Sequence, residues 1–548
     1  MKTYKYIFLL LISISMVRCS DLVEEPKGLL APDGFFQTTA DIQSAINASY
    51  AHALNEQIWG RKLSNALQLR SDMAAFRPTG STTRRVEMDT HTITNDNEMV
   101  YDPWNRIYRG IAAANGAISG AEFVDVPNAE KDAVIAQAYF MRAFYYFHLV
   151  RLFGEVPYLT EPVTATTAEA MASISKSSVA DVYAGIISDL EFAEANLPNR
   201  QAARSLPSKG AAKSYLALVY LTKGEWQNAY DKAKEVIDNK GTYDYELDAD
   251  FQNLFNGDKI DASKEPIFAL DYNNVEAPDN AYDQVAPMTG IRNSYRHGAG
   301  NGGWAQVVPE IKVFNDWPSG DYRRAVSFDD KAVFFGDHDI DGVEELDDPN
   351  SSDPEDKIPN PVYEPNEDLR TPEILHELDY TQFGLKADGS AHEQALPRPF
   401  IAKYYRFPGA FARGSVRATS HNPSMMRYAE VLLIAAEAAV EIGNNAAAVQ
   451  YVNEVRTRAR AGGSWENDYS NTSTPANISG TVTVNNVLEE RRYELAFECK
   501  RWYDIARRRI GTQAFGASGL EVRTGFTDAD YLTPIPITAI NSNPNLGN

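Results

Sequence analysis

Apolar residues recur every three or four positions through the first part of the chain, with polar residues between them. Ile42 and Ile46 fall on one face of a helix that starts near residue 39. The same spacing predicts helices over about residues 103–120 and 129–152, and Gly154 ends the second of these. The pattern therefore predicts a scaffold of amphipathic helices in this part of the chain.

A helix–turn–helix pattern occurs twice, at residues 209–238 and 428–456. When Gly224 is aligned with Gly443, small or branched apolar residues coincide in the second helix of each copy. The aligned pairs are Ala229 with Ala448, Ala233 with Val452 and Val236 with Val455. Small residues let antiparallel helices pack closely, as in tetratricopeptide repeats. Because the copies are far apart along the chain, we expect them to meet in space together with other helix pairs.

Residues 241–420 have a different composition, rich in Gly, Pro, Asp, Asn and Tyr, and show little helical periodicity. A short strand-like run occurs at residues 266–270. The predicted fold is therefore mostly α, with a tetratricopeptide-like helical-repeat scaffold over about 37–240 and 421–548. A large loop-rich, partly β insertion over 241–420 completes a single domain, 37–548, and loops of this kind commonly bind ligands.

The start of the chain has the pattern of a secretion signal. Two lysines precede an apolar run at residues 6–17, which is too short to cross a bilayer as a helix. Cys19 follows directly, and a cysteine at this place is typical of the lipid acceptor of a bacterial lipoprotein. We therefore expect residues 1–18 to be a signal peptide and residues 19–36 to be a lipid-anchored tether. A plain secretion signal followed by an unmodified cysteine is the alternative.

The chain is acidic, with a formal net charge of −23 at pH 7. This excess of negative charge argues against nucleic acid as a partner. After the signal, no apolar run in the sequence is long enough for a membrane helix. The sequence also lacks P-loop, dinucleotide-binding, Ser/His/Asp and Cys/His zinc patterns, so it offers no candidate catalytic residue.

The segment 488–508 has a structural pattern. Its apolar residues form one stripe, and its oppositely charged residues lie three or four positions apart and can pair along a helix. Each glutamate there has a basic neighbour, so we do not expect a catalytic carboxylate. His148, within an apolar run, is likewise expected to be a core histidine.

Four stretches together resemble the SusD/RagB family of outer-membrane nutrient-binding lipoproteins. They are CSDLVEEP at 19–26, QAYFMRAFYYFHLVRLFGEVPYLT at 137–160, MRYAEVLLIAAEA at 426–438 and LEERRYELAFECKRWYDIARR at 488–508. The last is the most specific, and it departs from the family at Cys499, where glycine is common. The stretches occur in the family's order and span nearly the whole chain.

The resemblance implies a cell-surface protein on the outer membrane, held there by lipid on Cys19. Members of the family capture oligosaccharides, less often peptides or other nutrients, and form a lid over a SusC-like TonB-dependent transporter. The resemblance therefore implies nutrient capture and delivery to that partner. It implies neither enzymatic activity nor a required cofactor.

Loop aromatics beside polar side chains are the candidate ligand-binding residues, because flat rings cover the apolar faces of sugars while polar groups bind their hydroxyls. Two segments, 291–304 and 70–77, fit this description, and in the family such loops commonly meet at the ligand face. The candidates are Arg292, Tyr295, Asn301 and Trp304 in the first segment and Asp72, Phe76 and Arg77 in the second. The alternative is that Trp304 belongs to the core and that Phe76 anchors a loop.

Residues 337–348, DHDIDGVEELDD, have the spacing of a calcium-binding loop. Asp337, Asp339 and Asp341 occupy positions one, three and five, Glu345 the ninth and Asp348 the twelfth. Asp348 departs from the usual glutamate at the twelfth position. A structural calcium site is therefore one interpretation, and a solvated acidic surface is the other.

Two other functions fit the same scaffold. A glycoside hydrolase of the same surface system needs two carboxylates across a cleft, and 75 acidic residues do not exclude such a pair. A tetratricopeptide adaptor that binds peptides would have contiguous repeats, which the sequence lacks. Release of new reducing ends from glycans distinguishes a hydrolase from a binding protein.

Overall fold

The computed structural model describes residues 32–76, 83–163, 167–255, 259–272, 283–290, 304, 306–318, 320–329, 345–347, 357–359, 380–382, 385–386, 399–404, 421–460, 462, 473–520 and 522–547. The helices of these residues are α1 (Pro32–Phe35), α2 (Thr39–Leu54), α3 (Lys62–Leu69), α4 (Thr83–Thr90), α5 (Glu98–Gly120), α6 (Asn128–Phe153), α7 (Ala168–Met171), α8 (Val179–Asn196), α9 (Lys209–Lys223), α10 (Trp226–Asp238), α11 (Lys240–Tyr243), α12 (Val285–Thr289), α13 (Ile311–Asn315), α14 (Tyr322–Ser327), α15 (Tyr428–Glu441), α16 (Asn445–Ala459), α17 (Val484–Glu494), α18 (Arg501–Arg508), α19 (Gly511–Ala514) and α20 (Ile537–Ser542). None of the described helices has the length and apolar character that crossing a bilayer requires.

The strands are short, and each pairs with one partner within the described part of the chain. They are β1 (Ala74–Phe76), β2 (Pro266–Ala269), β3 (Val307–Pro309), β4 (Phe328–Asp329), β5 (Glu345–Asp347), β6 (Lys357–Pro359), β7 (Tyr380–Gln382), β8 (Leu385–Lys386), β9 (Phe400–Ile401) and β10 (Ser424–Arg427). Strand β1 pairs with β3, β2 with β10, β4 with β9, β5 with β6 and β7 with β8, all antiparallel. Strand β2 confirms the run predicted at residues 266–270.

The scaffold is a stack of helices in which each packs against the next. Helix α2 packs on α5 and α6, α6 on α8, α8 on α9 and α9 on α10. A capping box fixes the start of α2, because the Thr38 side chain accepts from the Asp41 N–H while the Asp41 carboxylate accepts from the Thr38 N–H. Ile42 and Ile46 are fully buried, which confirms the helix predicted from residue 39.

The two helix–turn–helix copies meet in space, as the repeat pattern predicted. Helix α10 of the first copy packs on α15 of the second, and α15 packs in turn on α16 and α17. Gly224 and Gly443 have φ angles of +78° and +77°, a left-handed conformation that glycine adopts at helix ends without strain. The aligned residues of the second helices are all fully buried: Ala229, Ala233, Val236, Ala448, Val452 and Val455.

One predicted helix start is wrong. Helix α5 begins at Glu98, where the Asn97 side chain accepts from the Met99 N–H, five residues before the predicted start. Met99 and Val100 are buried, so the apolar face extends ahead of Pro103. That proline lies inside the helix, although prolines favour the first turn.

The segment 488–508 is two helices and not the single helix predicted. Helix α17 ends at Glu494, and α18 begins at Arg501. Between them Phe497 and Cys499 have φ angles of +62° and +60°, which a continuous right-handed helix cannot contain. Glycine would tolerate this conformation at position 499, so the cysteine conceals the turn in the sequence.

A set of buried ion pairs ties the insertion to the scaffold through α17. This buried ion cluster consists of Glu265, Arg323, Arg427, Arg458, Glu490, Glu494 and Glu498, whose side chains are at most 8% exposed. Glu494 at its centre contacts Arg323 at 3.1 Å and Arg427 at 2.5 Å, and it also pairs with Arg458. These carboxylates therefore pair with other segments of the chain. The spacing had predicted pairs along their own helix, and for these carboxylates that prediction is wrong.

Candidate ligand-binding site

Two strands that lie next to the predicted ligand-binding segments pair with each other. Strand β1 follows Asp72, strand β3 follows Trp304, and the strands pair with Phe76 opposite Val307. The Glu310 N–H also donates to the Met73 carbonyl at 2.9 Å. We call this two-stranded contact the seam. The structure therefore brings together the neighbourhoods of two sets of candidates that are far apart in sequence.

Trp304 is held at the end of the seam by its backbone and by the core. Its N–H donates to the Pro287 carbonyl at 2.5 Å, and the Gln306 N–H donates to the Met288 carbonyl at 2.9 Å. Both acceptors belong to α12, whose residues are all buried. The Trp304 side chain is half-buried and packs against the main hydrophobic core. Trp304 is thus held in place without being fully buried.

Two other candidates are more buried than we expect of a side chain that contacts a ligand from a surface loop. Phe76 is 7% exposed and belongs to the core, which agrees with the alternative of an anchoring role. Asp72 is 1% exposed, and both of its carboxylate oxygens accept from Arg501, from Nε and Nη2, at 2.7 Å. In this structure neither side chain offers the exposed group expected of a ligand-binding loop, and a ligand contact by either stays a prediction.

The other candidates lie outside the described residues: Cys19, Arg77, Arg292, Tyr295, Asn301, Asp337, Asp339, Asp341 and Asp348. The backbone of Glu345 lies in β5, where it pairs with Pro359 of β6. Within the described ranges, no group of three or more His, Cys, Asp or Glu side chains is arranged to hold a metal ion. The predicted calcium loop therefore stays a prediction.

Sequence reasoning missed a cleft of about 380 Å³ between α17 and α19. We call it the α17 cleft. Asn485, Leu488, Glu489 and Arg492 form one wall, and the buried Asp72–Arg501 pair also lines the cleft. The wall residues are spaced three and four apart, which places them on one helical face. That spacing was visible in the sequence, but the opposite wall comes from residues 510–520, whose position the sequence does not indicate.

Two enclosed cavities adjoin Cys499, with volumes of about 30 and 20 Å³. Each has room for one or two water molecules and none for a sugar. His148 lines the larger cavity, is 6% exposed, and its Nδ1 lies 2.8 Å from the Tyr503 hydroxyl. This confirms it as a hydrogen-bonded core histidine.

The carboxylates of the buried ion cluster are not arranged for acid catalysis. Burial opposes ionisation of Glu494, but Arg458, Arg427 and Arg323 outweigh it and hold its pKa well below the ordinary value. A general acid in glycoside hydrolysis needs the opposite, a raised pKa beside an open cleft. Glu494 is therefore a structural anion, held by arginines from other segments of the chain.

Comparison with known proteins identifies the family. A profile described as "SusD family" matches residues 264–548, and one described as "Starch-binding associating with outer membrane" matches residues 30–221. SusD-like protein P2 of Formosa agariphila is 43% identical over 553 residues, covering 100% of this chain and 99% of that protein. The chain belongs to the SusD family. A SusD-like protein of Bacteroides ovatus is 23% identical over 76% of this SusD-family chain and 67% of its own length.

Solved structures confirm the predicted fold of this SusD-family chain. A SusD homologue from Bacteroides thetaiotaomicron has a TM-score of 0.71 at 21% identity, covering 94% of this chain and 97% of that one. A laminarin-binding SusD-like protein has a TM-score of 0.69 at 21% identity, with coverage of 93% and 98%. Surface glycan-binding protein A from Bacteroides thetaiotaomicron, in complex with laminarihexaose, has a TM-score of 0.68 at 17% identity, with coverage of 92% and 98%. The fold is mostly α and tetratricopeptide-like.

Proposed function

We propose that this protein captures oligosaccharides at the cell surface and delivers them to a SusC-like TonB-dependent transporter. Its family supports the first part, since one matching profile is described as starch-binding and associated with the outer membrane. Two proteins of similar fold are named for laminarin binding and for a laminarihexaose complex. The delivery step rests on the resemblance to SusD/RagB proteins.

The observation that carries the proposal is the seam with Trp304 at its end. A half-buried tryptophan has little freedom to lose on binding, and a flat indole ring matches the C–H face of a sugar. Arg77, next to β1 in sequence, would supply polar contacts to hydroxyls in this proposal. Arg292, Tyr295 and Asn301, in the segment that leads to Trp304, would act in the same way.

We infer binding without catalysis. The best-paired carboxylates are locked in buried ion pairs with Arg323, Arg427 and Arg458, which removes them from acid–base chemistry. No cofactor is part of the proposal, and calcium at residues 337–348 would serve structure alone.

We also propose that lipid on Cys19 holds the protein on the outer face of the outer membrane. The family description associates starch binding with that membrane. The net charge of −23 gives no attraction to anionic lipid surfaces, so lipid would be the main attachment.

A binding screen tests the function. Protein starting at Ser20 would be titrated calorimetrically with laminarin, starch, xylan and mannan, and products would be checked for new reducing ends. We expect saturable binding to at least one glycan without hydrolysis. Trp304→Ala would weaken that binding at least tenfold, because an aromatic contact in a sugar site commonly contributes more than about 1.4 kcal/mol.

Trp226→Ala is the matched control. Trp226 is also half-buried, but it lies on α10 beneath Arg508, with the guanidinium 5.0 Å from its ring. Glycan affinity unchanged in Trp226→Ala and lost in Trp304→Ala assigns the site to the seam. Equal affinity in Trp304→Ala and wild type would remove the seam from the proposal, and turnover of glycan would replace binding with hydrolysis.

A further inference from the structure

The α17 cleft lies at the end of the seam opposite to Trp304, where two contacts connect it to the strands. Asp72, in the cleft lining, lies two residues before β1. On the other side Lys312 of α13, which follows β3, donates from Nζ to the Gly519 carbonyl at 3.1 Å, and Gly519 lines the cleft. A chain molecule bound at Trp304 would therefore have to extend past the buried strands of the seam to reach this second concave surface.

The cleft carries polar groups that no described residue engages. The amides of Asn485 on one wall and Gln513 on the other are exposed, and among the described residues neither makes a side-chain hydrogen bond. Each amide both donates and accepts, so this cleft favours a ligand that carries donors and acceptors itself.

The charges of the lining balance. Arg492 and Arg501 are positive, Asp72 and Glu489 are negative, and Glu489 is 49% exposed beside Arg492. A lining without net charge, in a chain of net charge −23, disfavours an anionic ligand. Hydroxyl groups both donate and accept, so they match a surface on which donors and acceptors alternate.

The size and apolar content of the cleft also fit a small polar ligand. Its volume of about 380 Å³ lies at the low end of small-molecule sites, about 300–1,000 Å³. Leu488, Ile510 and Leu520 give apolar contacts, but none of the described residues that line the cleft is aromatic. Binding here would therefore depend on hydrogen bonds and would be weak alone.

We propose that the α17 cleft is a second saccharide subsite, which takes neutral sugar residues of the same glycan chain that the seam binds. This inference rests on the proposed function and deepens it. Because the seam connects the two surfaces, a glycan long enough to extend from Trp304 to the cleft gains the second contact at high effective concentration. The cleft thus makes the protein favour long chains over short ones.

The experiment uses the double variant Asn485→Ala/Gln513→Ala in protein starting at Ser20. Both side chains are exposed and make no hydrogen bond within the described structure, so we expect an unchanged melting temperature. Asn105→Ala/Gln450→Ala is the matched control, with exposed amides on α5 and α16. The probes are laminarin, starch, xylan and mannan and their neutral trisaccharides and hexasaccharides, measured by calorimetry and by soaking crystals with the hexasaccharides.

We expect a hexasaccharide in the cleft and a three- to tenfold loss of polysaccharide affinity in the cleft variant, with trisaccharide affinity unchanged. Polysaccharide affinity equal to wild type in the cleft variant overturns the subsite. Electron density for a hexasaccharide in the cleft, without a loss of polysaccharide affinity in that variant, is binding at crystal concentration only and overturns the subsite as well. Loss in Trp304→Ala with no loss in the cleft variant leaves the proposed function intact. Absence of binding to every neutral probe by wild type overturns the function together with the subsite.

Discussion

Buried histidines make the stability of the protein sensitive to mild acid. His421 is 4% exposed and lines the smaller cavity beside Cys499. Burial lowers its pKa from 6.5 to about 4. Between these pH values the unfolded chain binds a proton at this position and the folded chain does not. The free energy of unfolding therefore falls as the pH drops from 6.5 to 4, by about 1.4 kcal/mol per pH unit from this group.

His421→Gln tests this coupling, because glutamine does not titrate. We expect the variant to lose stability less steeply than wild type between pH 6.5 and 4, by about 1.4 kcal/mol per pH unit. Urea unfolding at several pH values measures the difference, with the offset at pH 8 as the reference for any packing effect. Parallel curves for the two proteins through this window would show that His421 takes up its proton in the folded state.

At the residue scale, sequence indicated roles best where the backbone imposed them. Gly224 and Gly443 were aligned correctly, because a left-handed helix end leaves few residues to choose from. Asp72 gave no comparable indication. Its partner Arg501 lies 429 positions away in sequence. The local sequence around Asp72 does not distinguish a carboxylate that faces solvent from one that pairs with a buried guanidinium.

At the scale of elements, α17 contributes the carboxylate whose ion pairs join the insertion to the helical scaffold. Arg427 precedes α15, Arg323 lies in α14 and Arg458 lies in α16, and all three contact Glu494. Desolvating so many charges is costly, so the cluster is sensitive to the loss of any one carboxylate. A neutral group at position 494 would leave three guanidinium groups without their shared partner.

Glu494→Gln should therefore destabilise the protein by about 3–5 kcal/mol, the usual cost of removing one partner from a buried ion pair. Glu489→Gln on the same helix is the control, since its carboxylate is 49% exposed and lies 3.4 Å from Arg492. We expect the control to change stability by less than about 1 kcal/mol. Chemical denaturation of both variants measures the contrast, and equal small effects would mean that water reaches Glu494.

Helices were predictable where apolar residues recurred at helical spacing without interruption, as in α2 and α6. The prediction failed at 488–508, where apolar and charged spacing continues through a turn. Periodicity shows which side of a helix is apolar and not whether the backbone turns. It therefore did not reveal the turn at Phe497 and Cys499. For the same reason the spacing predicted pairing along the helix. This is confirmed for Glu489 with Arg492, whereas Glu490 and Glu494 pair with arginines on other elements.

At the scale of the molecule, the helical stack is closed by contacts between distant parts of the chain. Helix α10 meets α15 although the entire insertion lies between them. The repeat pattern indicated this meeting because both copies have small or branched apolar residues at the same positions, where helices can pack closely. The seam has no such pattern, since strands of three residues are too short for periodicity. The pairing of β1 with β3, next to the segments 70–77 and 291–304, was therefore expected from family resemblance alone.

The proposed attachment through Cys19 can be separated from attachment through the folded domain. A net charge of −23 opposes adsorption to anionic membranes, and a lipid-modified cysteine would supply the apolar anchor. We expect Cys19→Ser to leave the folded domain intact and to move the protein from the outer-membrane fraction to a soluble fraction. Fractionation with immunoblotting measures the shift, metabolic labelling with palmitate measures the lipid, and Cys499→Ser is the matched control that should stay on the membrane. Retention of Cys19→Ser without lipid would show that a protein partner holds this chain at the surface.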